Sequence, residues 1–466
     1  MTFEADVVVV GAGISGLTAA WNLQRKGKRV IVIEAAARAG GTIGTVRQDG
    51  FLVETGPNST LDTSPLIATL LEEAGITGER IYADSAAKKR FVLRGGRLLP
   101  LPMSPPAFLT TPLFSWQAKL ALLWEPFVPR AAPEADESVA EFVRRRLGQE
   151  FLDYAINPFV AGVYAGDPNQ LALRSAFPKL YELEQRHGSL IRGQIAGMRE
   201  RKNNPEQSKR TAAMLSFRDG MQTLPDALAA KMERLDLSTR AQRLSRSETG
   251  GWQVDAVGPQ GPVVYRSPSV VIATPADAAA RLIEPLAANA AAALDAMIYP
   301  PVASVACAYN RGDVAHAMDG FGFLVPQVED RRVLGSIFSS TLFYGRARAD
   351  KALLTTFVGG LRQPHLALQD EDLIAATVRE ELASLLGISA PPLWIRVTRW
   401  ERAIPQYTQG HERRMGVLER AEQSLPGVYF CANYRGGISV GDCIKSAHGI
   451  ADRVVEQSSG ATPASA

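Results

Sequence analysis

Asp6-Val7-Val8-Val9-Val10-Gly11-Ala12-Gly13-Ile14-Ser15-Gly16 lies near the start of the chain, followed by an apolar-periodic run to Gly27 and then Arg29-Val30-Ile31-Val32-Ile33-Glu34. A short run of β-branched residues with no polar alternation predicts a buried parallel strand. The GxGxxG pattern after it allows a tight turn, close approach of backbone to a pyrophosphate, and close packing of helix on strand. The helix that begins there would aim its N-terminal amides at the phosphate. Glu34 closes the second apolar run, where a carboxylate can accept from a ribose 2′-hydroxyl. Strand, glycine turn, helix, strand and acid in this order predict a dinucleotide-binding βαβ unit. Gly11, Ala12, Gly13, Ile14, Ser15, Gly16, Glu34 and the adjoining Ala35 are its candidate ligand contacts.

Next come Arg38, Gly40-Gly41-Thr42 and Glu54-Thr55-Gly56-Pro57-Asn58-Ser59. NAD-dependent dehydrogenases rarely carry a second glycine pair here. The extension resembles the FAD signature of the amine-oxidase superfamily, an RxGG followed by an ETGP segment whose loop runs under the flavin end of the cofactor. That similarity implies non-covalent FAD, with Arg38, Gly41, Thr42, Gly56, Pro57, Asn58 and Ser59 against it.

Composition narrows the alternatives. A chain of 466 residues has room for about three domains' worth of core. Hydrophobic content of 46% with 21% charged residues is ordinary for a soluble or peripherally bound globular protein. A net charge of +3 is too mild to argue for nucleic acid as a partner. Cys307, Cys431 and Cys443 are too few and scattered for a disulfide framework, and the five histidines sit far apart, so no metal site is expected. Met1-Thr2-Phe3-Glu4 has no basic stretch ahead of an apolar one, and a reducing, cytosol-facing location is expected.

Along the rest of the chain, Leu66 to Ala74 has helical spacing and ends at Gly75. Lys88 to Arg97 reads as a β-hairpin turning at Gly95-Gly96. From Leu98 to Ala118 there is no charge, but Pro100, Pro102, Pro105, Pro106 and Pro112 argue against a spanning helix, because lipid cannot replace the lost donors. Two compatible readings remain: a proline-rich cavity wall, and a monotopic element lying on a bilayer with basic flanks. Arg144-Arg145-Arg146 is expected on a solvated helix face, with a lipid-phosphate contact as the alternative. Asn157 to Pro168 is dense in small residues, which suggests backbone packed closely on something large. Residues 199–210 are polar and charged and read as an exposed loop or a disordered linker. A helix is expected over Leu224–Leu235 and a buried strand over Val270–Ile272, while residues 278–424 suit a mixed sheet roofing the flavin. Near the C-terminus, Gly427 to Asn433 predicts a buried strand. Gly436-Gly437-Ile438-Ser439-Val440-Gly441 then offers amides to a second cofactor contact through Ile438, Ser439 and Val440. The tail, 458–466, is expected to be disordered.

Several segments carry a more specific likeness. The GAGISGL start, Gly56-Pro57-Asn58-Ser59, Lys89-Arg90-Phe91, Gly162-Val163-Tyr164-Ala165-Gly166-Asp167, Phe321 to Pro326, Leu334 to Ser340, Ile404-Pro405-Gln406-Tyr407 and Gly441-Asp442-Cys443-Ile444 resemble the oxygen-dependent protoporphyrinogen oxidases along essentially the whole chain. The resemblance implies an α/β fold with a Rossmann-like FAD domain assembled from 1–84, 212–277 and 425–466. It further implies a helical membrane-association domain over 85–205, a mixed-sheet substrate domain over 278–424, and a homodimer on the cytoplasmic face of a membrane. The implied activity is the FAD-dependent six-electron oxidation of protoporphyrinogen IX by O2, with hydrogen peroxide as product. Arg90 matches an arginine that holds a substrate propionate. Leu324 and Phe338 match side chains that sandwich the tetrapyrrole, with Phe321 beside them, and Gly162 matches a glycine that approaches the macrocycle. Trp400 is implied at the flavin, Ala241 at the adenine side through main chain, and Asn58 beside the flavin as an aid to proton loss. Rival readings are a coproporphyrinogen III oxidase, a flavin amine oxidase or desaturase, and a non-enzymatic porphyrin-carrying flavoprotein.

Overall fold

A computed structural model describes residues 1–132, 134–200 and 212–459. In chain order the site-building elements begin with β1 (Val7–Val10), α1 (Ile14–Arg25), β2 (Val30–Ile33), β3 (Arg90–Arg94), β4 (Arg97–Pro100) and α2 (Asn157–Tyr164). They continue with β5 (Arg234–Asp236), β6 (Ser269–Ile272), β7 (Val302–Asn310), β8 (Gly322–Leu324), β9 (Gly335–Ile337) and β10 (Lys351–Gly359). Last come α3 (Glu371–Leu386), β11 (Trp394–Trp400), β12 (Val428–Phe430) and α4 (Val440–Ser459).

One layer is a five-stranded parallel sheet in the order β5-β2-β1-β6-β12. Every residue of β1 and β2 is buried. Val7 and Val9 pack towards α1 and α4, while Val8 and Val10 pack towards Trp252 and Tyr265 of a four-stranded mixed sheet behind. Burial on both faces is why these strands are continuously apolar. The helix expected over Leu224–Leu235 ends at Ala229, and Arg234–Asp236 becomes β5. Parallel pairing of Arg234, Leu235 and Asp236 with Ile31, Val32 and Ile33 overrides the local helical spacing.

The second sheet is mixed and seven-stranded, in the order β11-β7-β10-β9-β8-β3-β4. The hairpin β3-β4 was expected at the head of the helical segment. It instead forms the edge of this sheet, because β3 pairs in parallel with β8, matching Arg90 to Gly322, Phe91 to Phe323 and Val92 to Leu324. Helix α3 covers one face through Ile374, Val378, Leu382 and Leu386.

Between the hairpin and residue 200 the described chain is helical, with its own core around Phe114, Phe142, Phe151 and Leu173. The expected solvated arginine face is only partly realised. In the helix Val139–Arg146 the buried positions are 139, 140, 142, 143 and 146, a spacing that turns Arg146 inward. Its guanidinium reaches Glu125 at 2.7 Å and Glu184 at 2.6 Å, all three side chains being sealed from water. Arg145 bridges Glu137 and Glu184, so Arg144 alone of the three is exposed. Above this network Trp116, Trp124 and Phe127 are 65%, 70% and 70% exposed, with Leu120 and Leu123 beside them. Among the described residues no helix is long and apolar enough to cross a membrane. The expected loop over 199–210 and tail over 458–466 lie outside the described residues, save the two positions of each that close helices.

Candidate active site

The glycine turn shows what each small residue is for. A Cβ on Gly11, whose φ is +108°, would fall 2.9 Å from Ala273 O, and one on Gly16 would fall 1.9 Å from Gly11 O. Those two glycines let strand and helix touch. Gly13 faces open space instead. Helix α1 starts there without a side-chain cap, leaving its first-turn amides, from Ile14 and Ser15 onward, for a ligand. Glu34 accepts from Ala12 N at 2.7 Å and from Ala36 N at 2.8 Å, which fixes its carboxylate between the glycine turn and the exposed Ala35. Thr239 N donates to Glu34 O at 2.7 Å, bringing the strand that carries Ala241 to the same end.

The second loop closes over the first. Gly40 N donates to Ala12 O at 2.8 Å, and a Cβ on Gly41 would lie 3.2 Å from Gly13 Cα. Arg38 works through this loop: its guanidinium donates to Ile43 O at 2.7 Å, Gly41 O at 2.9 Å and the Gln222 side chain at 3.1 Å. Buried Glu54 holds the neighbouring turn, accepting from Met221 N at 3.0 Å and Thr45 Oγ1 at 2.6 Å with Arg346 3.3 Å away. Burial pushes its carboxyl up to about 7 against those partners. Gly56 presses on this loop, since its Cβ would fall 1.9 Å from Thr42 O. Pro57, Asn58 and Ser59 follow, half-buried, with Asn58 Nδ2 donating to Gly56 O at 3.3 Å. Trp400 Nε1 donates to Thr55 O at 2.7 Å, which stitches the end of β11 to this loop.

Helix α4 brings a second N-terminus to the bay. Ile438 and Ser439 lead into Val440, and Ser439 Oγ accepts from Asp442 N at 3.1 Å while donating to its carboxylate at 2.6 Å. Cys443 lies against Ser15 of α1; burial pushes its thiol up to about 11 although the Ser15 hydroxyl is bonded to it. The first turns of α1 and α4 therefore meet.

The adjacent slot is built by the seven-stranded sheet. Paired residues share a face and successive ones alternate. Register places Arg90, Val92, Leu324, Ile337, Phe357, Val302 and Trp400 on the face turned from α3. Helix α2 lies directly on it, since a Cβ on Gly162 would fall 2.5 Å from Leu324 Cδ2. Exposed Arg90 sits at the rim with its guanidinium carbon 5.6 Å from the Phe321 ring centre. Phe321 N donates to Lys89 O at 2.7 Å, and Lys89 pairs with Asp319, so the rim is pinned on both sides of Arg90.

Phe338 is not in this slot. Its ring is 0% exposed and packs on Phe91 and Phe323, at 6.4 and 6.2 Å between centres, within the core under α3. The reason is pleat parity: Phe338 follows Ile337, so the expected partner of Leu324 points the other way. Ile337 and Phe357 lie instead on the Leu324 face, both half-buried, Phe357 against Ala161 and Ala165 and Ile337 against Leu342 and Phe343.

A model of the flavin-containing amine oxidoreductases matches residues 14–455. The chain belongs to that family. Among its relatives, the chloroplastic protoporphyrinogen oxidase of Nicotiana tabacum is 34% identical, covering 97% of this chain and 85% of the relative. The coproporphyrinogen III oxidase of Bacillus subtilis (strain 168) is 30% identical, covering 95% and 96%. A crystal structure from Exiguobacterium sp. 255-15, provisionally described as a protoporphyrinogen oxidase, superposes with a TM-score of 0.80 at 25% identity over 97% of this chain and 98% of that one. Reduced UDP-galactopyranose mutase shares the fold with a TM-score of 0.72 at 17% identity, over 98% of both chains.

As a flavin-containing amine oxidoreductase the chain is an FAD-dependent enzyme. Its bay fits that cofactor. The first turns of α1 and α4 meet beside the glycine turn that holds Glu34, and the buried hydroxyls of Thr60 and Thr274 lack partners among the described residues. Thr60 lies beside Gly441 in the first turn of α4, and Thr274 follows Ala273, the residue packed on Gly11. Neither threonine stood out in the sequence, because each becomes a wall residue only when a distant glycine folds against it.

Proposed function

We propose that the chain oxidises protoporphyrinogen IX to protoporphyrin IX, with O2 as final acceptor and hydrogen peroxide as product. The observation that carries this reading is the apolar face of Leu324, Ile337 and Phe357 beside the cofactor bay, with Arg90 at its rim. Bound FAD supplies a two-electron acceptor for a C–H bond, and three rounds account for the six electrons separating the two tetrapyrroles.

The chain's own residues bind, orient and exclude water. Arg90 takes a substrate propionate through its planar guanidinium, a geometry that suits bidentate pairing. Leu324, Ile337 and Phe357 press on the macrocycle and keep its bridging carbons dry. Gly162, already in contact with Leu324, keeps α2 free of a side chain there, so that the macrocycle can lie beside that contact. Asn58 turns its Nδ2 to Gly56 O, which leaves its carbonyl oxygen to accept from a pyrrole N–H as the proton passes to water.

A second reading, oxidation of coproporphyrinogen III, is favoured by the 30% identical relatives that bear that activity in their names. That substrate carries four propionates and would want further cations. Arg94 lies on the Arg90 face two pleats along, but Glu150 neutralises it, which favours the substrate with fewer carboxylates. We also propose that the exposed Trp116, Leu120, Leu123, Trp124 and Phe127 rest on the cytoplasmic surface of a membrane, where the protein acts as a homodimer.

Anaerobic mixing of the FAD-loaded protein with protoporphyrinogen should bleach the flavin, and admitting air should restore it. Coproporphyrinogen III run alongside should react more slowly. Flavin that stays oxidised with protoporphyrinogen overturns the reading.

A further inference from the structure

The segment Ile404-Pro405-Gln406-Tyr407 lies outside the glycine turns, yet one of its side chains closes the turn between β12 and α4. Tyr407 is 3% exposed. Its hydroxyl donates to Asn433 O at 2.6 Å and accepts from Gly437 N at 3.0 Å. Both hydrogen-bonding capacities of the oxygen are used on one turn, entering it at Asn433 and leaving it at Gly437. That turn needs outside support. Gly436 and Gly437 have φ of +82° and +121°, a conformation with little intrinsic preference. It delivers Ile438, Ser439 and Val440 to the bay, where the first turn of α4 meets that of α1.

The ring is held as firmly as the hydroxyl. It stacks on His411 at 4.1 Å between centres and 17° between planes, and meets Tyr164 edge-on at 6.5 Å. Tyr407 O accepts from Ala172 N at 2.8 Å, and the neighbouring Gln406 Nε2 donates to Tyr164 O at 2.7 Å. His411 is itself buried, with Arg414 nearby, and burial lowers its imidazole to about 4, so an uncharged ring faces Tyr407 at neutral pH.

We infer that Tyr407 is a positioning residue for the flavin: its hydroxyl fixes the Asn433–Gly437 turn, and through it the α4 amides that the cofactor meets. The inference rests on the FAD assignment and goes beyond it by naming a residue that acts without touching the ligand.

The test compares two tyrosines of the same aromatic column. Tyr407→Phe keeps the stack on His411 and removes only the two bonds to the turn. Tyr164→Phe removes a comparable bond, Tyr164 Oη to Ala176 O at 3.0 Å, whose partner lies outside the turn. FAD affinity is measured on the apoprotein by quenching of flavin fluorescence, beside the thermal midpoint of each protein. Tyr407→Phe should weaken FAD about tenfold, the effect of losing one well-made buried hydrogen-bond arrangement. Tyr164→Phe should lower the midpoint comparably and leave FAD affinity within twofold. Once saturated with FAD, Tyr407→Phe should show slower flavin reduction at an unchanged KM. Equal FAD affinity in Tyr407→Phe and the parent overturns the inference, as does equal weakening in the two variants. A parent apoprotein that takes up no FAD overturns the cofactor assignment instead. Hydrogen exchange in the unaltered apoprotein decides the matter even if a variant fails to fold: the Gly437 amide should exchange slowly, and rapid exchange overturns the inference.

Discussion

The two faces of the seven-stranded sheet are built from adjacent residues yet have opposite fates. Phe91, Phe323 and Phe338 point towards α3 and form a dry core. Arg90, Leu324 and Ile337, each next to one of them in sequence, lie on the opposite face, where α2 packs on Leu324. A local motif such as Phe321 to Pro326 therefore announces a site without saying which of its side chains face it. In a strand, a shift of one residue exchanges wall for core.

The sharpest way to break this comparison is Phe338→Ala. Removing a fully buried ring should destabilise the fold by about 3–5 kcal/mol in a denaturant titration. The fraction that remains folded should keep a KM within twofold of the parent. A large KM change would return Phe338 to the substrate slot. Gly162→Leu acts on the other face, where even a Cβ would land 2.5 Å from Leu324 Cδ2. It should lower kcat/KM more than tenfold and cost about 1–3 kcal/mol of stability by overpacking, and steady-state kinetics beside a denaturant titration would check both.

Arg90→Ala should raise KM about tenfold, roughly 1.4 kcal/mol, with kcat nearly unchanged, because a carboxylate contact remote from the reacting carbon is largely uniform binding. An unaltered KM would remove Arg90 from the rim. The smallest effect belongs to His316, which touches the core rings Phe91 and Phe338. Burial lowers its imidazole below the ordinary value, with Asp319 opposing and Arg311 and Lys89 assisting. The unfolded chain then takes up a proton first as pH falls. The His316 contribution to stability should thus be intact above about pH 6.5 and decline below it. Melting curves of the parent and His316→Phe should converge in their pH dependence only if this account fails.

What could be read in advance follows sequence distance. The first βαβ unit was legible because strand, turn and helix are contiguous in the sequence and the spacing of Gly11, Gly13 and Gly16 is itself the signal. The match of β3 with β8 was not, since Arg90 and Gly322 meet only through long-range parallel pairing. Arg234–Asp236 resembled a helix end until β2 offered it an edge. Arg38 was found by motif, but its work on the carbonyls of Gly41 and Ile43 rather than on open space needed coordinates. Tyr407 lay inside a recognised segment whose purpose appears only once Asn433 and Gly437 fold against it.

One feature of the helical segment bears on how the protein must be handled. Glu125 lies in sequence between Trp124 and Pro126, and from beneath it is clasped by Arg146, Ser189 and the amides of Leu190 and Ile191. The backbone that carries Trp124 and Phe127 is therefore anchored to the helical segment's interior while their rings stay exposed to the aqueous surrounding. Preparations without detergent should clump, and those supplied with it should run as a uniform species.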